Sequence, residues 1–178
     1  MKKARSGFTI VELLAVIGVV AVLISIIASV ATNSIRAGRG KRAAVMGSSL
    51  QQAIASYYAE EGKWPSLIES ANTDGEDTVK FEGTQADQIF QEVVGKGFGK
   101  SGKKSMLVDA SGLFVCESTA ANGNRARGYN FSEVTGSSAK HRIGLKQMAF
   151  GYQDAGSGCF RRFRVIYNCR TDSVTVVQ

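Results

Sequence analysis

The first third of the chain carries two hydrophobic patterns in succession, and the first of them is continuous. From Phe8 to Ala31 almost every residue is apolar, and Glu12 is the only charged residue in the run. A helix over this run would be about 36 Å long, enough to span a bilayer with some tilt. A carboxylate inside such a span costs on the order of 3 kcal/mol on insertion scales. Glu12 is therefore a candidate functional residue that needs a partner.

The second pattern is periodic and begins beyond Ala31. Apolar residues recur mostly at three- and four-residue intervals, which predicts a helix that presents one face to a globular domain. These residues are Ile35, Met46, Leu50, Ala53, Ile54 and Tyr57. The two patterns predict one helix from Phe8 to Tyr58, about 75 Å long. Gly38, Gly40 and Gly47 each weaken it by about 1 kcal/mol relative to alanine, so a kink or melted turn is expected near residues 37–41.

The long helix is predicted to end in the segment that contains Gly62 and Pro65. Gly62 suits a C-terminal cap, and Pro65 cannot continue a helix. Trp64 is expected to pack against the helix. The polar, acidic segment from Ala71 to Gly83 is interpreted as a loop.

A second, shorter helix is predicted from Thr84 to Gly95. Thr84 resembles an N-cap with Asp87 three residues on, and the apolar face is Ile89, Phe90, Val93 and Val94. The following segment, Lys96 to Ser105, is rich in glycine and lysine, but its spacing departs from that of a phosphate-binding loop and no strand precedes it. It is interpreted as a flexible basic surface loop.

The remainder of the chain is predicted to be β-structure. The expected strands are Leu107–Val108, Leu113–Cys116, Phe160–Tyr167 and Ser173–Val177, with a loop from Ser118 to Arg127 and a turn at Arg170–Asp172. Within the third strand, Phe163, Val165 and Tyr167 are assigned to one face, and Arg162, Arg164 and Asn168 to the other. The predicted fold class is α+β: a long N-terminal helix packed on a small C-terminal antiparallel sheet.

The charge balance is basic, but part of it lies in the short leader before Phe8. The formal net charge is +7, from 22 Lys and Arg against 15 Asp and Glu. Without Lys2, Lys3 and Arg5 the balance is 19 against 15, about +4, which weakens the argument for nucleic-acid binding. Two basic segments remain candidates for DNA or lipid: Lys96–Lys104 and Arg161–Arg164.

The leader and the start of the apolar run resemble type IV pilin-like precursors, the family of type IV pilins and type II secretion pseudopilins. The resemblance is carried by Gly7-Phe8-Thr9-Ile10-Val11-Glu12 and the apolar helix after it. It implies that a membrane peptidase cuts between Gly7 and Phe8 and methylates the new N-terminal Phe8. It also implies that Glu12, with Thr9 beside it, serves assembly, because Glu12 would meet the N-terminal ammonium of a neighbouring subunit.

The end of the first helix resembles that of the major type II pseudopilin, through Tyr57, Gly62, Trp64 and Pro65. Family members commonly carry a glycine and a proline where this chain has Ala21 and Ser29, so the usual helix-breaking device is absent. The predicted organisation is a leader (1–7), a transmembrane and assembly helix (8–32), the exposed half of the helix (33–62) and a globular α+β domain (63–178).

The resemblance also implies partners and a location. The partners are the chain itself, other pilin-like subunits, prepilin peptidase, an inner-membrane assembly platform and the membrane, with no small-molecule substrate. The chain would be a single-pass bacterial inner-membrane protein with a cytoplasmic N-terminus and a periplasmic C-terminal domain, and part of a pilus or pseudopilus after assembly. Charge alone leaves the orientation open, because cations flank both ends of the apolar run.

A domain outside the cytoplasm permits disulfides. If one strand joins Cys159 and Cys169, they are about 33 Å apart and cannot bridge. Cys116 is therefore expected to pair with one of them, with Cys169 in preference to Cys159. Three free thiols remain the alternative.

Other classes of protein remain open. A secretory signal cut after Ser29-Val30-Ala31 and a simple membrane anchor are two of them, and a DNA-binding minor pilin that uses the basic loop with Arg161, Arg162 and Arg164 is the third. No catalytic constellation is present, so an enzyme is not expected. No cofactor or metal is expected, because Asp154 and Asp172, the candidates for calcium, lie in no dense acidic loop.

Overall fold

The computed structural model describes residues 9–71, 76–97, 113–122, 126–135 and 142–178. Within these residues the chain forms four α-helices and seven short strands. The helices are α1 (Ile10–Glu61), α2 (Ser66–Glu69), α3 (Thr84–Gly97) and α4 (Phe131–Thr135). The strands are β1 (Thr78–Phe81), β2 (Phe114–Glu117), β3 (Tyr129–Asn130), β4 (Met148–Gln153), β5 (Phe160–Arg162), β6 (Arg164–Asn168) and β7 (Ser173–Val177).

The chain divides into two compact units, Met1–Gly38 and Arg39–Gln178. The described part of the first unit is the N-terminal stretch of α1. The second unit holds the remaining turns of α1 and every other described element. A long N-terminal helix followed by small antiparallel sheets confirms the predicted α+β class.

The course of α1 follows the sequence prediction with one exception. Helical structure is unbroken at Gly38, Gly40 and Gly47, so the melted turn expected near residues 37–41 is not formed. At the C-terminal end, Gly62 has φ +69° and its N–H donates to the Tyr58 carbonyl at 2.8 Å. Glycine adopts this left-handed conformation without a Cβ penalty, which confirms the predicted cap.

The strands form two antiparallel sheets. One has the order β1-β6-β7, and the other has the order β3-β2-β4-β5. In the first sheet Val165 of β6 lies opposite both Phe81 of β1 and Val176 of β7. In the second, Val115 of β2 lies opposite Phe150 of β4. The terminal hairpin predicted from the sequence is the β6–β7 pair.

The prediction of one strand from Phe160 to Tyr167 is wrong. This segment forms two strands, β5 and β6, which belong to different sheets. β5 pairs with β4, whereas β6 pairs with β1 and β7. The break is at Phe163, whose N–H donates to the Phe150 carbonyl at 3.1 Å. Its ring is 1% exposed and packs on Tyr152 at 5.2 Å between centroids. Side-chain alternation continues through such a corner, so the sequence pattern did not reveal it.

Three strands were missed, β1, β3 and β4, for different reasons. β3 has only two residues, Tyr129–Asn130, too few to show an alternation. β1 lies inside the segment that was interpreted as a loop because of its acidic residues. In β4, the first four residues are all buried, Met148 to Gly151, so there is no polar alternation to detect. The predicted strand Leu107–Val108 and most of the basic segment Lys96–Ser105 lie outside the described residues.

The core of the second unit lies between one face of α1, α3 and the two sheets. From α1 it takes Met46, Leu50, Ala53, Ile54 and Tyr57, as the three- and four-residue spacing predicted. Trp64 is 9% exposed and stacks on Tyr58 at 4.3 Å, which confirms its packing against the helix. Its indole N–H donates to the Asp172 carboxylate at 2.6 Å.

Candidate functional site

The first turn of α1 is built around Thr9 and Glu12. The Glu12 N–H donates to the Thr9 hydroxyl oxygen at 3.3 Å. The Thr9 N–H and the Thr9 hydroxyl both donate to Oε2 of Glu12, each at 2.9 Å. This reciprocal arrangement is a capping box, which satisfies backbone donors that a helix start leaves free. The Thr-x-x-Glu spacing was visible in the sequence, but its role as a cap was not predicted there.

The capping box fixes the direction of the Glu12 carboxylate. Because Thr9 holds Oε2, the carboxylate lies back toward the N-terminus of the helix. Among the described residues, Oε1 of Glu12 takes part in no hydrogen bond. Gly7 and Phe8, the predicted cleavage and methylation site, lie outside the described residues. The geometry therefore leaves one carboxylate oxygen available for a cationic group near the helix start.

The residues that follow Glu12 are apolar on all sides of the helix. The large apolar side chains from Ile10 to Val30 are all exposed, at 45% or more of their surface. By length and composition this stretch of α1 is apolar enough to cross a membrane. Within this stretch the chain offers these side chains no covering partner, so their burial requires lipid or another subunit.

The hydroxyl groups in this apolar stretch are satisfied within the helix. Ser25 donates to the Val22 carbonyl at 2.7 Å, and Ser29 donates to the Ile26 carbonyl at 2.8 Å. Thr32 donates to the carbonyl of Ser29 at 2.9 Å. A polar group without a partner is costly in an apolar medium. Because these hydroxyl groups are hydrogen-bonded within the helix, the stretch is compatible with an apolar medium such as a lipid bilayer. The sequence analysis did not predict these hydrogen bonds, although Ser and Thr within a predicted apolar helix would have indicated them.

The second unit contains an ion pair between Asp87 and Arg162 that the sequence analysis did not predict. Asp87, expected near a helix cap, is 1% exposed and accepts the Phe150 N–H at 3.1 Å. Arg162, expected on an outer face, lies 2.9 Å from the Asp87 carboxylate and donates to the Ser118 carbonyl at 2.7 Å. Burial raises the pKa of Asp87 to about 6, although Arg162 acts in the opposite direction. The pair ties α3 to the four-stranded sheet.

The proposed basic face at Arg161–Arg164 is therefore partly used inside the fold. Arg162 is largely covered, with its side chain 12% exposed, and pairs with the buried Asp87. Arg164 lies 3.6 Å from Glu82 and donates to the Gln178 carbonyl at 2.8 Å. Arg161 and Arg164 are both exposed. The other part of the DNA hypothesis, the segment Lys96–Lys104, lies largely outside the described residues.

All three cysteines are described, and all three are free thiols. The predicted Cys116–Cys169 disulfide is thus not formed in this structure. The physical reason is topological: Cys116 is buried in β2 of the four-stranded sheet, while Cys169 follows β6 of the other sheet. Cys116 packs with Ala126, Ala149 and Phe160 in a small apolar cluster, and burial raises the pKa of its thiol.

The carboxylates considered for calcium have local partners. Asp154 accepts a hydrogen bond from the Ser157 N–H at 2.6 Å. Asp172 accepts hydrogen bonds from the Trp64 indole N–H and the Tyr167 hydroxyl. In the part of the chain that the structure describes, no group of three His, Cys, Asp or Glu residues could hold a metal ion.

The fold and the first turn of α1 define a class: a chain anchored by an apolar N-terminal helix, with an acidic first turn and a small α+β domain. The comparison with protein families agrees with it. Residues 2–28 match the prokaryotic N-terminal methylation motif, the precursor signal of type IV pilins and pseudopilins. The motif supports a membrane-anchored, pilin-like subunit that prepilin peptidase processes. Searches of curated proteins and of solved structures each returned no match.

Proposed function

We propose that this chain is a structural subunit of a type II secretion pseudopilus or a type IV pilus. In this proposal prepilin peptidase cuts between Gly7 and Phe8 and methylates Phe8, and an inner-membrane assembly platform inserts the subunit into a helical filament. The observation that carries the proposal is Glu12: a carboxylate aimed at the helix start, inside the methylation motif, on a stretch of α1 whose large apolar side chains are all exposed.

Charge neutralisation explains why assembly would select a carboxylate at this position. A lone carboxylate and a lone ammonium are each costly in an apolar medium, but a close pair of the two offsets much of that cost. After cleavage, the ammonium of Phe8 in one subunit and the free oxygen of Glu12 in its neighbour would form such a pair. Head-to-tail contacts generate an open helical filament when the rotation between subunits does not close, and this is the arrangement proposed here.

The proposal leaves two kinds of filament, a secretion pseudopilus and an adhesive or motile pilus, and one sequence feature favours the first. The Gly62, Trp64 and Pro65 junction supports the pseudopilus in preference to the adhesive or motile pilus. A strain that lacks only the secretion platform would lose filament incorporation if the pseudopilus proposal is correct. A strain that lacks only the pilus platform would lose it if the chain serves a pilus.

The assembly role is tested by Glu12→Ala in cells that contain the assembly machinery. We expect the variant to insert into the membrane normally, with incorporation into sheared or cross-linked filaments reduced by about tenfold or more. Ser25→Ala is the matched control, because Ser25 lies on the same apolar stretch and bonds only within the helix. Normal filament incorporation of Glu12→Ala would remove the proposed role of the carboxylate.

A further inference from the structure

A cavity of about 480 Å³ lies at the end of β2 in the second unit. Its lining includes Cys116 and Glu117 of β2, Arg127 and Tyr129 at the start of β3, and residues of the segment 142–147. This volume is within the range of sites that bind small organic molecules. The size of the cavity therefore permits a small ligand, and the chemistry of that ligand follows from the groups on the walls.

The wall that carries Arg127 and Tyr129 is fixed by close packing on β2. Tyr129 lies opposite Val115 in the β2–β3 pair. Between the two wall residues, the backbone of Gly128 lies so close to the ring of Phe114 that a Cβ at this position would clash with it. Glycine permits this approach because it has no side chain. Arg127 thus precedes a segment that is held in place against β2.

The wall that carries Arg142, Ile143 and Gln147 is also tied to the end of β2. The Gln147 carbonyl accepts the N–H of Ser118, the residue after β2, at 2.7 Å. The Gln147 N–H donates to the Gly144 carbonyl at 2.8 Å. Both walls are therefore anchored to the same strand, so the cavity belongs to the folded second unit.

The charged groups on the walls favour an anion. Among the described lining residues there are two guanidinium groups, of Arg127 and Arg142, and one carboxylate, of Glu117. Within the described part of the chain, the Arg127 side chain forms no ion pair and no hydrogen bond, in contrast to Arg162 with Asp87. A guanidinium group binds carboxylates and phosphates through paired, charge-assisted hydrogen bonds. The cavity thus has a net positive charge and groups suited to an oxyanion.

We propose that this cavity binds a small organic anion, whose carboxylate or phosphate group is held by Arg127 and Arg142. Ile143 and the ring of Tyr129 offer apolar contact to the carbon skeleton of the ligand. The side-chain amide of Gln147 offers one hydrogen-bond acceptor and two donors. The site lies entirely within the second unit, so the proposal is independent of filament assembly. It adds a small-molecule ligand to the partners expected from the sequence.

The test is a titration of the isotope-labelled full chain in detergent micelles, followed by NMR. The probes are succinate and glycerol phosphate, each with a neutral counterpart, succinamide and glycerol, so the series also separates a carboxylate from a phosphate. We expect at least one charged probe to shift the backbone amide signals of Cys116 and Gly128 and the side-chain amide signal of Gln147 in a saturable way. Its neutral counterpart should bind at least about tenfold more weakly, because hydrogen bonds to charged groups are the stronger ones.

Two outcomes of this titration overturn the proposal. One is the absence of a saturable shift with either charged probe at concentrations up to about 10 mM. The other is equal binding of the charged probes and their neutral counterparts. Both outcomes are measured on the unchanged chain, so the proposal remains testable if a variant fails to fold.

Two matched variants then locate the binding charges. The double variant Arg127→Gln, Arg142→Gln should weaken binding of the charged probe by about tenfold or more. The control Lys63→Gln, Lys80→Gln removes two exposed cations of the same unit that are not among the lining residues, and it should leave binding unchanged. Unchanged binding in the arginine variant overturns the proposal, and so does an equal loss in the lysine control.

Discussion

The two ends of α1 differ both in their apolar pattern and in their burial. Leu23, in the first unit, is 52% exposed, whereas Leu50, in the second, is 1% exposed. The sequence differs in the same way: the first stretch is apolar on every side, and the second keeps its apolar residues on one side. An apolar face that the chain covers itself stabilises the fold, and one that it leaves open must be covered by lipid or another subunit.

The carboxylates of Asp87 and Glu12 differ in the same way, since one has its partners within the second unit and the other does not. Asp87 is buried, and its partners Arg162 and the Phe150 N–H both belong to the same unit. Glu12 has Thr9 as its partner among the described residues, and both hydrogen bonds go to Oε2. The Asp87 carboxylate thus finds its partners within the second unit, whereas the proposed partner of Glu12 is a second subunit.

The largest expected effect comes from breaking the internal network. Asp87→Ala leaves the guanidinium of Arg162 buried without its counter-charge, and we expect the free energy of unfolding to fall by about 3–5 kcal/mol. Arg164→Ala is the control, since its pair with Glu82 is about half exposed and contributes about 0–1 kcal/mol. Chemical unfolding followed by fluorescence of Trp64, the single tryptophan, measures both. A loss below 1 kcal/mol for Asp87→Ala would contradict the network.

The comparison along α1 is tested by two identical substitutions. We expect Leu50→Ala to reduce the free energy of unfolding of the second unit by about 3 kcal/mol, because it opens a cavity in the core. Leu23→Ala should change it by less than about 0.5 kcal/mol, because that side chain packs on nothing in the described chain. The same fluorescence measurement applies to both. Equal losses would show that the two stretches are buried alike.

Much of this comparison could be predicted from the sequence, because periodicity reports which side of a helix is covered. The buried positions of α1 from Met46 to Tyr57 and the glycine cap at Gly62 are confirmed. The break at Phe163 could not be predicted because alternation continues through it, and the strand at Met148–Gln153 could not because its first four residues are all buried and show no alternation. The Asp87–Arg162 pair joins residues far apart in the chain, and spacing carries no information about it.

The pKa of Asp87 gives a smaller, pH-dependent prediction. Burial raises this pKa from 3.8 to about 6, so the folded chain binds the proton more tightly than the unfolded chain. The contribution of Asp87 to the free energy of unfolding is then largest below pH 4 and falls by about 2 kcal/mol as pH rises through 6. Asp87→Asn should lack this decrease. Unfolding measured at pH 4, 5, 6 and 7 tests it, and parallel curves for the two proteins would contradict it.

The smallest expected effect concerns the helix itself. A Cβ at Gly40 would meet nothing within 4 Å, whereas one at Gly47 would lie 3.4 Å from the Phe163 ring. Gly40→Ala should therefore raise the free energy of unfolding by about 0.5–1 kcal/mol through helix propensity alone. Gly47→Ala should gain less, because a Cβ there already lies at contact distance from the Phe163 ring and leaves no spare room. A larger gain at Gly47 than at Gly40 would contradict the packing described between α1 and Phe163.

We propose that the exposed apolar first unit belongs to a subunit that is processed and assembled. This proposal is tested most directly by the intact mass and N-terminal sequence of membrane-extracted protein, from cells with and without prepilin peptidase. The account predicts a chain that begins at Phe8 with one added methyl group, and an uncut chain when the peptidase is absent. A chain that begins at Thr32, or one that remains uncut in the presence of the peptidase, would contradict it.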